Sequence, residues 1–125
     1  MNKTALKSKK IPVFGPYSPA IEAGGLVFIS GQLPVEPVSN QTLTEISEAT
    51  RQALHNLRTL LEENGLSLDD VVKTTIYLTD IGQAGVVNHL YTAFFQGVPP
   101  ARSTVGVAAL PKGAPIEIEA IAVRS

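Results

Sequence analysis

The sequence contains no cysteine, which excludes a disulfide framework, a thiolate zinc site and a cysteine nucleophile together. No uninterrupted apolar run is long enough to span a bilayer. Charge of either sign is scarce: charged residues make up 17% and the formal net charge is −1. A chain so balanced has no global basic field to draw it to nucleic acid. There is no glycine loop with lysine for phosphate and no dinucleotide fingerprint. The two histidines, His55 and His89, do not stand at metal-ligand spacing and read as helix-surface residues. No Gly-x-Ser-x-Gly elbow frames a serine, which argues against a serine hydrolase. Neither a metal nor a cofactor is expected.

What is present suits one domain. Hydrophobic residues make up 44% of 125, enough for one core and too few residues for a second. The terminus carries Lys3, Lys7, Lys9 and Lys10 with no apolar run behind them, so it does not read as a secretory signal. Residues 1–10 are expected to be a flexible, solvated segment of the single domain 1–125. A cytoplasmic enzyme is compatible with all of this.

Ala20 to Ala23 and Leu26 to Leu33 flank Gly24-Gly25, a pairing that predicts a β-hairpin. Pro34 to Thr42 reads as a loop. Thr42 and Glu45 have capping-box spacing, and Ile46, Ala49, Ala53, Leu57 and Leu60 form an apolar helical stripe ending at Gly65. Val71 to Thr79 is rich in β-branched residues and predicts a strand. A second helix is expected from an Asp80 cap through Phe95 to Gly97, where Pro99-Pro100 blocks continuation. Strands over about Arg102 to Leu110 and Ile116 to Val123 complete a ββαβαββ order. Such an order packs as an α+β sheet with both helices on one face. Phe28, Val105 and Val107 would then lie on a bare second face, so an oligomer is expected.

Four segments are unusual for plain packing. Gly15-Pro16-Tyr17-Ser18-Pro19 presents a phenol from a stiffened backbone, although a rigid entry turn with a packed tyrosine is the plainer reading. Ser30-Gly31-Gln32 either offers a hydroxyl and bare amides to a ligand or is simply a β-bulge. Pro99 to Thr104 aims Arg102 from the start of a strand, and a guanidinium grips a carboxylate through two parallel hydrogen bonds. An ordinary exposed arginine is the commoner case. Ile116 to Ala122 puts Glu117 and Glu119 on one strand face, where strand parity cannot choose between them.

Together and in this order, GPYSPA, ISGQLP, VVKTTIYLTD, VVNHLYTAFF, PARSTV, ALPKG and IEIEAIAV resemble the blocks of the Rid (YjgF-like) family in its RidA-type branch. The resemblance runs from about Ile11 to the end of the chain, and PARS followed by EIEAIAV is its most specific part. It implies a chorismate-mutase-like α+β domain, a homotrimer with a barrel of sheets, and clefts between neighbouring subunits. It also implies hydrolysis of enamine and imine intermediates, of the 2-aminoacrylate and 2-iminopropionate type, to a 2-keto acid and ammonia. By that likeness Arg102 binds the substrate carboxylate and Glu117 positions or activates water. Tyr17, Ser30, Gly31 and Asn88 line the cleft. Thr104 stands in the substrate site where many relatives carry cysteine, so thiol-based regulation does not carry over.

Three other functions fit parts of the sequence. A non-catalytic trimer could hold a small carboxylate such as a 2-keto acid, because Arg102 serves either purpose. RNA cleavage or translation inhibition, also attributed to parts of the family, has only the lysine-rich terminus in its favour. Chorismate mutase activity rests on fold analogy alone.

Overall fold

The computed structural model describes residues 2–125. Its elements, in chain order, are β1 (Thr4–Leu6), β2 (Ala20–Ala23), β3 (Leu26–Gln32), α1 (Ile46–Glu63), β4 (Val71–Leu78), α2 (Ala84–Phe94), β5 (Ala101–Gly106) and β6 (Ile116–Val123). They form one mixed six-stranded sheet in the order β1-β2-β3-β6-β4-β5. Only β4 and β5 pair in parallel, across the α2 connection. The expected α+β class holds, with one strand more than the sequence predicts.

That extra strand lies within residues 1–10, the segment expected to be flexible. Thr4, Ala5 and Leu6 pair with Glu22, Ile21 and Ala20 at the sheet edge. The Lys7 carbonyl accepts from Asn64 Nδ2 at 3.0 Å, which ties the segment to the end of α1. Met1, the first residue of the same expectation, lies outside the described residues.

Local chemistry sets the remaining boundaries. The β2–β3 turn needs two residues at positive φ, and Gly24 (φ 59) and Gly25 (φ 79) supply them without strain. Helix α1 starts later than the Thr42–Glu45 spacing implies. Glu45 is itself the cap, its carboxylate accepting from the Ser47 and Glu48 amides. Those bonds satisfy two orphan donors of the first turn and pull the Glu45 carboxyl below its usual range. Asp80 caps a single 3₁₀ turn, Ile81–Gln83, and α2 proper runs from Ala84 to Phe94, short of Gly97.

One sheet face forms the core. Val27, Ile29, Ile76, Leu78, Ile116, Ile118, Ala120 and Ala122 are buried against Ala49, Ala53, Leu54, Leu57 and Leu61 of α1. Helix α2 lies over β4, where the Tyr91 and Thr74 hydroxyls meet at 2.7 Å. The opposite face is open. Leu26, Phe28, Val72 and Val105 are exposed there, among Lys73, Tyr77 and Glu119.

Candidate functional site

The β3–β6 ladder contains the irregularity on which the site is built. Ile29 pairs with Ala120, yet Gln32 pairs with Ile118. Three steps along β3 therefore match two along β6, and one residue is extra: a β-bulge at Ser30-Gly31. The bulge keeps both Ile29 and Gln32 on the buried side. It also turns Ser30 and Gly31 out toward the neighbouring Glu117.

Gly31 meets the glutamate directly. A Cβ built on Gly31 would stand 2.5 Å from Glu117 Oε2 and 2.7 Å from its Cδ, closer than any real side chain allows. The missing methyl group is thus the space that Glu117 occupies. The carboxyl group is half-buried, and burial, with Glu119 nearby adding like charge, raises its pKa above the ordinary carboxylate value. Glu119 points into a different setting: it is exposed and accepts from the Tyr77 hydroxyl at 2.8 Å. Two glutamates of equal strand parity are thereby separated by their neighbours.

The cleft over Glu117 has a volume of about 360 Å³ and is lined by Phe14, Tyr17, Ser30, Gly31, Leu33 and Pro111 as well. Tyr17 reaches it because its ring folds back over Gly15, where a Cβ would lie 3.0 Å from Cε2. The Ser30 hydroxyl donates to the Ser18 carbonyl at 2.7 Å. Its proton is committed, so Ser30 meets a ligand with lone pairs.

A second cluster surrounds Arg102 on β5, the edge strand. The guanidinium stacks 4.9 Å from the centroid of the Tyr91 ring and donates from Nη2 to Asn88 Oδ1 at 2.6 Å. Tyr91 is buried and held by Thr74 and by Phe95, whose ring centroid is 4.5 Å away. Arg102 makes no ion pair among the described residues, where Arg124–Glu22 is the one recorded. Thr104 follows on the same face of β5, its Oγ1 buried and without a hydrogen-bond partner.

The chain brings Tyr17, Ser30, Gly31 and Glu117 together, and separately Asn88, Arg102 and Thr104. It does not bring the two sets together. Arg102 stands in register with Thr74, and Glu117 with Tyr77. Thr74 and Tyr77 lie three residues apart on one strand and face opposite sides of the sheet. Arg102 and Glu117 therefore belong to opposite faces. Sequence reasoning did not single out Phe14, Leu33 and Pro111 as cleft walls, or Tyr91 as the platform under Arg102. Tyr91 carried a faint signal, as the polar-tipped ring in the apolar stripe of α2.

Known proteins agree with this architecture. The family model described as Endoribonuclease L-PSP matches residues 7–124. A 2-iminobutanoate/2-iminopropanoate deaminase of Salmonella typhimurium is 42% identical over 127 aligned positions, covering 99% of each chain. A RutC family protein of Pyrococcus abyssi is 41% identical and covers 98% of both chains. The crystal structure of a Rid-family protein of unknown function from Yersinia pestis superposes with a TM-score of 0.94 at 43% identity, covering 98% of this chain and 99% of that one. By family model, sequence and fold alike, the chain belongs to the Rid (YjgF-like, endoribonuclease L-PSP) family.

Proposed function

We propose that the protein is a cofactor-independent deaminase that hydrolyses enamine and imine intermediates of the 2-aminoacrylate and 2-iminopropionate type to a 2-keto acid and ammonia. The observation that carries this reading is the seating of Glu117: a half-buried carboxyl group of raised pKa, fitted against Gly31 in a cleft. A carboxyl group tuned toward neutral pH can take a proton and return it. Relatives named as 2-iminobutanoate/2-iminopropanoate deaminases add weight.

The chemistry needs few parts. The enamine first takes a proton from solvent at C3 and gives one up from nitrogen, becoming the imine. Glu117, in its ionised form, accepts a proton as water adds through oxygen to C2. Glu117 returns that proton to the nitrogen, giving the carbinolamine, and then moves the new hydroxyl proton to the nitrogen in the same way; the C2–N bond breaks, and ammonia leaves as the C2 carbonyl forms. Arg102 holds the carboxylate next to C2 through charged hydrogen bonds, each contributing about 1.5 to 3 kcal/mol. Its guanidinium is already stacked and bonded on one edge, which leaves the remaining N–H groups for an anion. Tyr17 and Ser30 line the glutamate side; Asn88 and Thr104 line the arginine side.

Because one chain holds these sides on opposite faces of the sheet, the working site requires the Arg102 edge of one copy beside the Glu117 cleft of another. A homotrimer with clefts between neighbours satisfies that need and covers Phe28 and Val105. No helix among the described residues is long and apolar enough to cross a membrane, and a cytoplasmic site of action fits the reading. The test is direct: an amino-acid oxidase acting on alanine supplies 2-iminopropanoate, and the protein should speed its conversion to pyruvate at catalytic concentration. An unchanged rate at equimolar protein would refute the deaminase and favour a carboxylate-binding trimer.

A further inference from the structure

The Glu117 cleft has a wall that the reaction does not use. Phe14 lines it, is 41% exposed, and directly precedes the Gly15–Tyr17 turn. It is also held in place. Its own loop is stiffened by the Tyr17 amide bonding to the Gly15 carbonyl at 2.9 Å and by the Tyr17 ring folded over Gly15. Lys112 sets its ammonium 4.2 Å from the centroid of the Phe14 ring.

The Lys112 contact comes from an unusual backbone. Lys112 takes φ 60, in the left-handed region, within the 3₁₀ turn Pro111–Gly113. A β-bearing residue adopts this conformation at a cost and keeps it where its surroundings fix it. The neighbouring Pro111 lines the same cleft as Phe14. The turn therefore delivers a wall residue, Pro111, and a clamp on Phe14, Lys112, from adjacent positions. With the ammonium stacked on its ring, Phe14 joins Leu33 and Pro111 as the apolar part of the cleft lining.

Resting on the deaminase reading above, we propose that Phe14, clamped by Lys112, is the residue that limits the size of the substrate side chain. The carboxylate and C2 of the imine are held by Arg102 and Glu117, so the substituent at C3 is the part that meets this wall. The Phe14 ring leaves room for short aliphatic chains and excludes branched ones. Lys112 acts by holding the ring still.

The experiment compares kcat/KM for 2-iminopropanoate and for the branched imine derived from leucine, in the wild-type protein, F14A, F14L and K112M. Removing wall atoms changes discrimination by about tenfold. F14A should raise the branched-to-short ratio by about tenfold, with F14L between it and the wild type. K112M should shift the ratio the same way by about two- to threefold, as expected for the loss of an exposed cation–π contact. A ratio unchanged in both F14A and F14L overturns the role of Phe14, and an unchanged K112M overturns the clamp. If the wild type turns over no imine, the deaminase reading falls and calorimetry decides on Phe14. Pyruvate and 4-methyl-2-oxopentanoate are then titrated into wild type and F14A: a raised branched-to-short affinity ratio supports the wall, and an equal ratio or no binding overturns it.

Discussion

Glu117 lies in the space that a side chain on Gly31 would fill, with its Oε2 2.5 Å from where the Cβ would be. The contact links two segments that are far apart in sequence and joined only through the β3–β6 ladder. It also gives the Ser-Gly break on β3 a physical purpose: the bulge brings glycine, and only glycine, under the carboxyl group.

Gly31→Ala should therefore displace Glu117 while leaving the sheet intact, because the Ser30–Gly31 bulge sits where the strand is already irregular. If Glu117 handles the proton, kcat for 2-iminopropanoate should fall by about 10² or more, within the range that a positioned acid–base group contributes. Steady-state kinetics beside a circular dichroism spectrum check this. A variant with the wild-type kcat would show that the carboxyl group need not sit there.

The raised pKa of Glu117 fixes the sign of two pH effects. Activity that uses the ionised carboxyl group should fall as pH drops through the folded-state pKa, with a midpoint above the ordinary carboxylate value. Burial is the larger cause and Glu119 the smaller, so Glu119→Gln should move that midpoint down. For stability, a carboxyl pKa raised on folding favours the fold below the unfolded value, and that advantage is lost as pH rises through the folded value. Glu117→Gln should then raise Tm at pH 7 relative to the wild type, and the gain should shrink to nothing below about pH 4, where both forms are neutral. Thermal melts at several pH values read this directly.

Much of the fold was legible before any coordinates. The period of Ile46, Ala49, Ala53, Leu57 and Leu60 placed α1, and Gly24-Gly25 placed the hairpin. What escaped were features decided at a distance. β1 is three residues beside a run of lysines, and nothing local announces its pairing with β2. The α1 cap moved from Thr42 to Glu45 because a glutamate bent back onto its own helix. In the site, Glu117 and Glu119 are equivalent by strand parity. Their difference arises from the bulge opposite one and Tyr77 beside the other. Arg102 and Glu117 could be named from the family resemblance, but not their placement on opposite faces, which follows from the register of β5 and β6 on β4.

Arg102→Ala should remove the anchor with little cost to folding, since the side chain is exposed and stacks on a ring that Thr74 and Phe95 already hold. Loss of charged hydrogen bonds of about 1.5 to 3 kcal/mol lowers kcat/KM for 2-iminopropanoate by roughly 10- to 150-fold. Arg102→Lys keeps the charge and loses the forked geometry, so it should recover only part. A neutral substrate analogue, the corresponding imine amide, should be turned over equally by all three proteins. If Arg102→Ala instead weakens both substrates alike, the residue supports the structure and does not grip the carboxylate.

The placement of Arg102 and Glu117 on opposite faces leads to the sharpest test of the assembled site. If each cleft takes its arginine from one subunit and its glutamate from the next, Arg102→Ala and Glu117→Ala are defects in different halves. Alone, each variant should keep no more than about a tenth of the wild-type activity. Mixed as equal parts by unfolding and refolding together, subunits assort at random around a ring of heterologous contacts. A given cleft then receives an intact arginine half the time and an intact glutamate half the time, so about one quarter of the wild-type activity returns. Light scattering of the mixture should give the same trimer mass as the wild type. If instead both residues act within one chain, every cleft carries one defect or the other, and refolding together restores nothing.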